Sequence, residues 1–165
     1  MKPPRRDRSA ILAAATLLGT LTALPAAASV SCSLAVTPLA FGPYVPFSST
    51  PTDSTATITV TCSTTGASPV ALTASISLTG GGTAPYGRQL ADGPYLMRYH
   101  TYLNSARTVY WGDGSGLGAT EPVSGVVGPS APFQQTFTVY GRILARQTGA
   151  NVGAYTDQIT AVLTY

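Results

Sequence analysis

Apolar and polar residues alternate with a period of two along much of this chain. Val30, Cys32, Leu34 and Val36 alternate with Ser29, Ser31, Ser33 and Ala35. Ala56, Ile58, Val60 and Cys62 stand opposite Thr55, Thr57, Thr59 and Thr61, and Val70, Leu72, Ala74, Ile76 and Leu78 opposite Ala71, Thr73, Ser75 and Ser77. Each run predicts a strand with one buried face and one small, polar face, and β-branched Thr suits the exposed side of a sheet. Further strands are expected at Tyr95–Leu103, with Tyr95, Met97 and Tyr99 on one face, and briefly at Val109-Tyr110-Trp111. A long strand is expected where Phe133, Gln135, Phe137, Val139, Gly141 and Ile143 alternate, and a last one over Thr156–Tyr165, where Ile159, Ala161, Leu163 and Tyr165 share a face. Turns are expected at Pro43–Pro51, Thr64–Pro69, Gly80–Pro94, Gly112–Pro132 and Gly149–Gly153. No helical period runs beyond two turns, and no internal repeat or second domain is visible. Seven or so short strands joined by loops predict an all-β sandwich.

Composition agrees. The 165 residues suffice for one domain. Only 9% are charged, against roughly 25% in an average soluble protein, which excludes a coiled coil or a helical bundle. Nine Tyr residues and abundant Val, Ile and Leu argue against disorder.

The net charge of +3 is carried by the first residues, Met1-Lys2-Pro3-Pro4-Arg5-Arg6-Asp7-Arg8. An uncharged apolar run from Ala10 to Leu24 and then Pro25-Ala26-Ala27-Ala28-Ser29 follow. A basic start, a short apolar run and small residues are the parts of a secretory signal, in order. Residues 1–28 are thus read as a signal peptide cleaved after Ala28, with residues 29–165 as the mature domain. The apolar run is shorter than the roughly 20 residues of a membrane span. In the mature domain Arg88, Arg98, Arg107, Arg142 and Arg146 balance Asp53, Asp92, Asp113, Glu121 and Asp157, and no Lys remains. With no clustered basic surface, a nucleic-acid partner is not expected.

Two cysteines, Cys32 and Cys62, suggest one disulfide in an exported chain. Both fall on the apolar register of their strands, so they can face each other across the core; two unpaired buried thiols are the alternative. Two cysteines and a single histidine are too few for a structural zinc site.

Little else offers chemistry. His100 sits among aromatics in its strand and reads as a surface or structural residue. A Ser-His-Asp arrangement needs no adjacency in sequence, but no G-x-S-x-G elbow occurs, and the carboxylates are scattered. Trp111-Gly112-Asp113-Gly114-Ser115-Gly116-Leu117-Gly118 superficially resembles a phosphate loop. Such a loop needs a helix after it, and Pro122 interrupts any helix there. Asp113, Ser115 and Glu121 make a poor calcium set, so a wide turn is expected. No catalytic, cofactor or metal site is assigned.

Taken in order, Cys32, Phe41-Gly42-Pro43-Tyr44, and Cys62 closing a Thr-rich strand form the first half of a pattern. Arg88, Tyr99, Tyr102, Arg107 and Trp111-Gly112-Asp113-Gly114 come next. Tyr140-Gly141-Arg142 with Gln147, then Gly153-Ala154-Tyr155-Thr156-Asp157, and Tyr165 complete it. This order and spacing, over nearly all of the mature chain, resembles the spore coat protein U family of secreted bacterial proteins, related to archaic chaperone–usher pilin subunits. The resemblance implies an immunoglobulin-like sandwich lacking its last strand. A periplasmic chaperone would fill the gap during export past an outer-membrane usher, and another subunit's extension would fill it in the fibre, by β-strand addition. The Tyr165 strand would border the groove, and the chain would end at the cell surface or outside it. Polymerising members carry ten or more residues before their first cysteine. Here only Ser29, Val30 and Ser31 follow the expected cleavage, which points to a subunit that accepts a strand without donating one. The alternative is a lectin-like or adhesin module using the loop aromatics Tyr86, Tyr110 and Trp111, for which core packing is the favoured explanation.

Overall fold

The computed structural model describes residues 29–80, 87–116 and 118–165. Residues 1–28, expected from the sequence to be a signal peptide, and Tyr86 lie outside the described residues. Among these, the chain forms eight strands: β1 (Val30–Val36), β2 (Thr52–Thr64), β3 (Val70–Gly80), β4 (Gln89–Asp92), β5 (Tyr95–Tyr102), β6 (Glu121–Val127), β7 (Phe133–Ile143) and β8 (Ile159–Thr164). They make two antiparallel sheets, one ordered β1-β2-β7-β5-β4 and the other β6-β3-β8.

The alternation read from the sequence sets the packing. Ala56, Ile58, Val60 and Cys62 of β2 are buried, and so are Phe137 and Val139 of β7. They meet Leu72, Ile76 and Leu78 of β3 and Val123 and Val127 of β6, with Trp111 entering the same core. The Thr residues between them face outward and pair across strands, as Thr59 Oγ1 and Thr136 Oγ1 do at 2.9 Å. Because side chains alternate strictly, a slip of one residue would exchange these faces, so the burial pattern fixes the register in which Thr52–Cys62 lies against Phe133–Ile143.

The structure departs from the expectations in three places. First, the expected turns at Gly80–Pro94 and Gly112–Pro132 each contain a strand, β4 and β6. β4 is only four residues long, too short for alternation to register. β6 reads Glu-Pro-Val-Ser-Gly-Val-Val, and its Pro and Gly mimic a turn; as a sheet edge it tolerates both. A Cβ on Gly125 would lie 2.3 Å from the Phe133 ring of the facing sheet, so the glycine makes room for an aromatic. Second, Val109-Tyr110-Trp111 forms only isolated bridges, Tyr102 to Tyr110 and Trp111 to Ala119. Third, Cys32 and Cys62 are directly opposed neighbours in one sheet rather than partners across the core. Their Cα atoms are 4.1 Å apart and a disulfide joins them.

That bond ties the edge strand β1 to its neighbour β2. Replacing Cys32 with Ser is expected to lower stability by about 2–5 kcal/mol, the usual cost of losing the disulfide of a small exported domain. Urea unfolding of the wild-type and C32S proteins without reductant measures it.

Candidate functional site

The edges of the two sheets come together at β1 and β8, and the local hydrogen bonding leaves both open. Thr65 N–H donates to Ser29 O and Thr37 N–H to Thr57 O. In the β1–β2 register the odd-numbered residues of β1 are therefore the ones bonded to β2. The even-numbered Val30, Cys32, Leu34 and Val36 turn their N–H and C=O groups outward. The same parity governs β8. Leu78 N–H donates to Gly112 O, and Trp111 Nε1–H donates to Ile76 O. These β3 groups point away from β8, so their opposites Ala161 and Leu163, and likewise Ile159 opposite Gly80, face the open side. On both strands the residues with outward backbone groups carry the inward apolar side chains: Val30, Cys32, Leu34, Ile159, Ala161 and Leu163 all pack against the core while half-buried.

Between the two edges the described residues leave the core unfilled. A cavity of about 320 Å³ is lined by Val36, Ile58, Leu78, Val139, Ile159 and Ala161, among others. That is roughly twice the 150 Å³ of an apolar cavity that holds benzene, in a class of interiors otherwise close-packed. A second, wider depression of about 580 Å³ shares Leu39, Phe41 and Leu90 with it and runs towards Tyr44, Ala150 and Tyr155.

The edges also differ in sequence. β1 (VSCSLAV) and β8 (ITAVLT) hold no charged residue and no proline. The far edges do: β6 carries Glu121 and Pro122 and β4 carries Asp92. Charge and proline are the usual devices that stop an edge from pairing.

The residues singled out in the sequence surround this groove or brace the strands beneath it. The Phe41 ring meets Tyr99 edge-on at 5.8 Å. Tyr99 O–H donates to Asp157 Oδ2 at 2.5 Å, and burial, seconded by that carboxylate, pushes the phenol far above its usual range. Arg88 is fully buried. Its guanidinium donates to Gly80 O at 2.7 Å and Leu78 O at 2.9 Å. It thereby caps β3 beyond the end of the β6 pairing, and burial pushes its pKa down. Tyr44 O–H donates to Leu144 O and accepts from Gln147 N–H, while Gln147 grips both backbone groups of Arg98. Tyr155 O–H closes the Asn151 turn. A Cβ on Gly153 would collide with the Asp92 carboxylate at 1.7 Å, and one on Gly141 would meet Leu39 at 2.6 Å. Gly42 and Gly114 have φ of 70° and 87°, which glycine adopts without strain.

Other members lie away from the groove. On the outer face of the large sheet Arg142 makes a two-pronged contact with Asp53, at 2.6 and 2.8 Å. This holds the Asp53 carboxyl below its ordinary value. Arg107 approaches Asp53 at 3.3 Å and lies over Tyr140. Beside them Tyr102 stacks on Tyr110 at 4.9 Å, and His100 meets both rings edge-on. His100 is buried in this cluster. Asp113 Oδ1 accepts from Ser115 N–H and Oγ–H inside an exposed turn. Among the described residues no group of three His, Cys, Asp or Glu could hold a metal ion. Gly112 lies against Gly118, with only 3.0 Å from its would-be Cβ to the Gly118 Cα, so the glycine run closes a tight turn. Trp111, considered as a loop aromatic for ligand binding, is instead 1% exposed in the core.

The model of the Spore Coat Protein U domain matches residues 17–162. The chain belongs to the Spore Coat Protein U domain family. A comparison with curated proteins gives no match. The all-β fold in two sheets is that of a Spore Coat Protein U domain, and membership makes the chain a pilus-like or coat surface protein of a structural, pilin-like family. The disulfide suits an oxidising compartment, and among the described residues no helix is long and apolar enough to cross a membrane.

The resemblance implied a groove beside the Tyr165 strand; which edge faces it across the gap, the cavity's lining and the task of Arg88 were not read from the sequence. The parity of β1 was visible in the alternation, but which backbone groups lacked partners depends on the register.

Arg88→Lys tests the cap on β3. An ammonium has no planar fork to hold two carbonyls at once, and leaving one buried carbonyl unpaired costs about 1–3 kcal/mol. Denaturant midpoints of the two proteins are expected to differ by that amount, with the variant less stable.

Proposed function

We propose that this protein is a secreted subunit of a pilus-like or coat assembly whose sandwich is completed by a strand from another chain. The carrying observation is the convergence of two uncharged strand edges over a half-open, mainly apolar cleft that Asp157 also lines. One extended segment laid between β1 and β8 satisfies both rows of outward N–H and C=O groups. Its alternate side chains enter the core, which is the physics of strand addition. Burying the apolar lining of this cleft under an occupant's side chains removes it from water, so the occupant adds to the subunit's stability. During export the occupant is a strand of a periplasmic chaperone, which hands the subunit to an outer-membrane usher. In the assembly it is a segment of a neighbouring subunit. The balanced charge of residues 29–165 favours neither nucleic acid nor an anionic membrane as a partner.

We further propose that the subunit accepts a strand without donating one. With cleavage after Ala28, three residues precede Cys32. They span about 10 Å at 3.3 Å per residue, against roughly 17–20 Å for a typical strand. Ser29, Val30 and Ser31 are moreover engaged with Thr65, Thr64 and Ser63, so they belong to β1 and not to a free arm. The place of such a subunit is at one end of a fibre. The reading as a ligand-binding module loses its best ring, because Trp111 is spent on the core.

The experiment mixes purified residues 29–165 with a donor peptide from a polymerising subunit, and separately incubates the protein alone. A one-to-one peptide complex with a higher melting temperature, and no homopolymer, is expected. A lone monomer that melts cooperatively and ignores every strand peptide would overturn strand addition. Long fibres of this chain alone would overturn the acceptor-only role.

A further inference from the structure

The groove has two unlike ends, and one residue makes the difference. β1 and β8 run antiparallel across the gap: Val36 and Ile159 share the cavity at one end. At the other, Tyr165 O–H accepts the Cys32 N–H at 3.3 Å. The width that one intervening strand requires is two spacings of about 4.8 Å. At the Cys32 end a single tyrosine side chain and one hydrogen bond bridge the gap, so the phenol stands where a strand's backbone would otherwise approach β1. The Cys32 side is also held rigid, since the disulfide fixes this point of β1 to Cys62. At the Val36 end no comparable side chain intrudes among the described residues: Val36 is 56% exposed, and the cavity opens beneath it.

We propose that Tyr165 is a specificity-determining residue of the groove, admitting only strands that carry a small side chain opposite it and a large apolar one over the cavity. The inference rests on the strand-addition reading and names the kind of segment that fits. Cys32 and Val36 are four residues apart, so the small residue, Gly, Ala or Ser, falls four positions from the cavity-filling Leu, Phe or Ile on the same face of the strand. Tyr165 itself is 59% exposed and held by one exposed hydrogen bond. An occupant therefore displaces the hydroxyl from Cys32 readily, but still has to share the space with the ring.

Nine-residue alternating peptides test this, made in both chain directions, with Leu at the cavity position and either Gly or Leu four positions on. Their affinities are measured for the wild-type protein and for Tyr165→Ala, an exposed truncation that leaves the core untouched. The Gly-to-Leu change is expected to weaken binding to the wild type roughly tenfold, the size of an ordinary overpacking penalty. It should weaken binding to Y165A by less than about threefold, since the space is then free. An equal penalty in both proteins, with the Gly peptide bound, overturns the role of Tyr165 and leaves strand addition standing. No binding of any peptide to either protein overturns both. A second readout needs no peptide. Amide hydrogen exchange at Cys32 in the free protein should be slower than at Leu34 and should become equal to it in Tyr165→Phe; equal rates in the wild type would overturn the contact on which the proposal is built.

Discussion

The strict coupling of side-chain direction to backbone direction in a strand governs this molecule. In an antiparallel edge strand every second residue turns its N–H and C=O away from its only neighbour, and every second residue sends its side chain to the core. In β1 and β8 the two sets coincide. Val30, Cys32, Leu34 and Val36 on one side, and Ile159, Ala161 and Leu163 on the other, turn their backbone groups outward, where the Cys32 N–H meets the Tyr165 hydroxyl, and all but Val36 have half-buried side chains packed on the core. A segment that bonds to either edge is thereby directed over the interior, so backbone pairing and core filling are one event.

The same coupling explains what could be read from the sequence. The strands that carry long alternation, β2, β3 and β7, were legible because both their faces have a defined environment: Ile58 and Val60 inside, Thr57 and Thr59 outside. The disulfide was legible as a pair, because Cys32 and Cys62 share the apolar register, but not as a contact between neighbours within one sheet. Periodicity gives the face of a residue and says nothing about which strand lies beside it. β6 was hidden by Pro122 and Gly125, whose reasons are tertiary: one sits on a sheet edge where its missing N–H costs nothing, the other beneath the Phe133 ring. Arg88 was visible as a motif residue, yet its partners are two main-chain carbonyls that no side-chain pattern records.

Many of the motif residues spend their chemistry on irregular backbone. Tyr44, Gln147 and Tyr155 satisfy turns; Arg88 caps a strand where its neighbour stops; Trp111 anchors a loop to Ile76 O. A sandwich with a cleft between two sheet edges exposes more main chain near its rim than a closed one, and buried polar groups without partners are costly. Polar side chains aimed at carbonyls are thus a natural companion of an open groove. They hold the rim in shape while its centre stays unfilled.

Edge sequence separates a groove meant to be occupied from one that is merely unfinished. An exposed edge is an aggregation hazard, and proteins blunt it with charge, proline or extreme shortness. This domain uses those devices at β4 and β6 and omits them at β1 and β8. The omission is not offset elsewhere, because residues 29–165 hold five cations and five anions and so have no net charge to keep copies apart. The same sequence thus protects two edges and leaves two ready to pair. Under the proposed strand addition that asymmetry has a physical reason: the open pair spends little time uncovered, with a partner's strand arriving before another copy of the chain does.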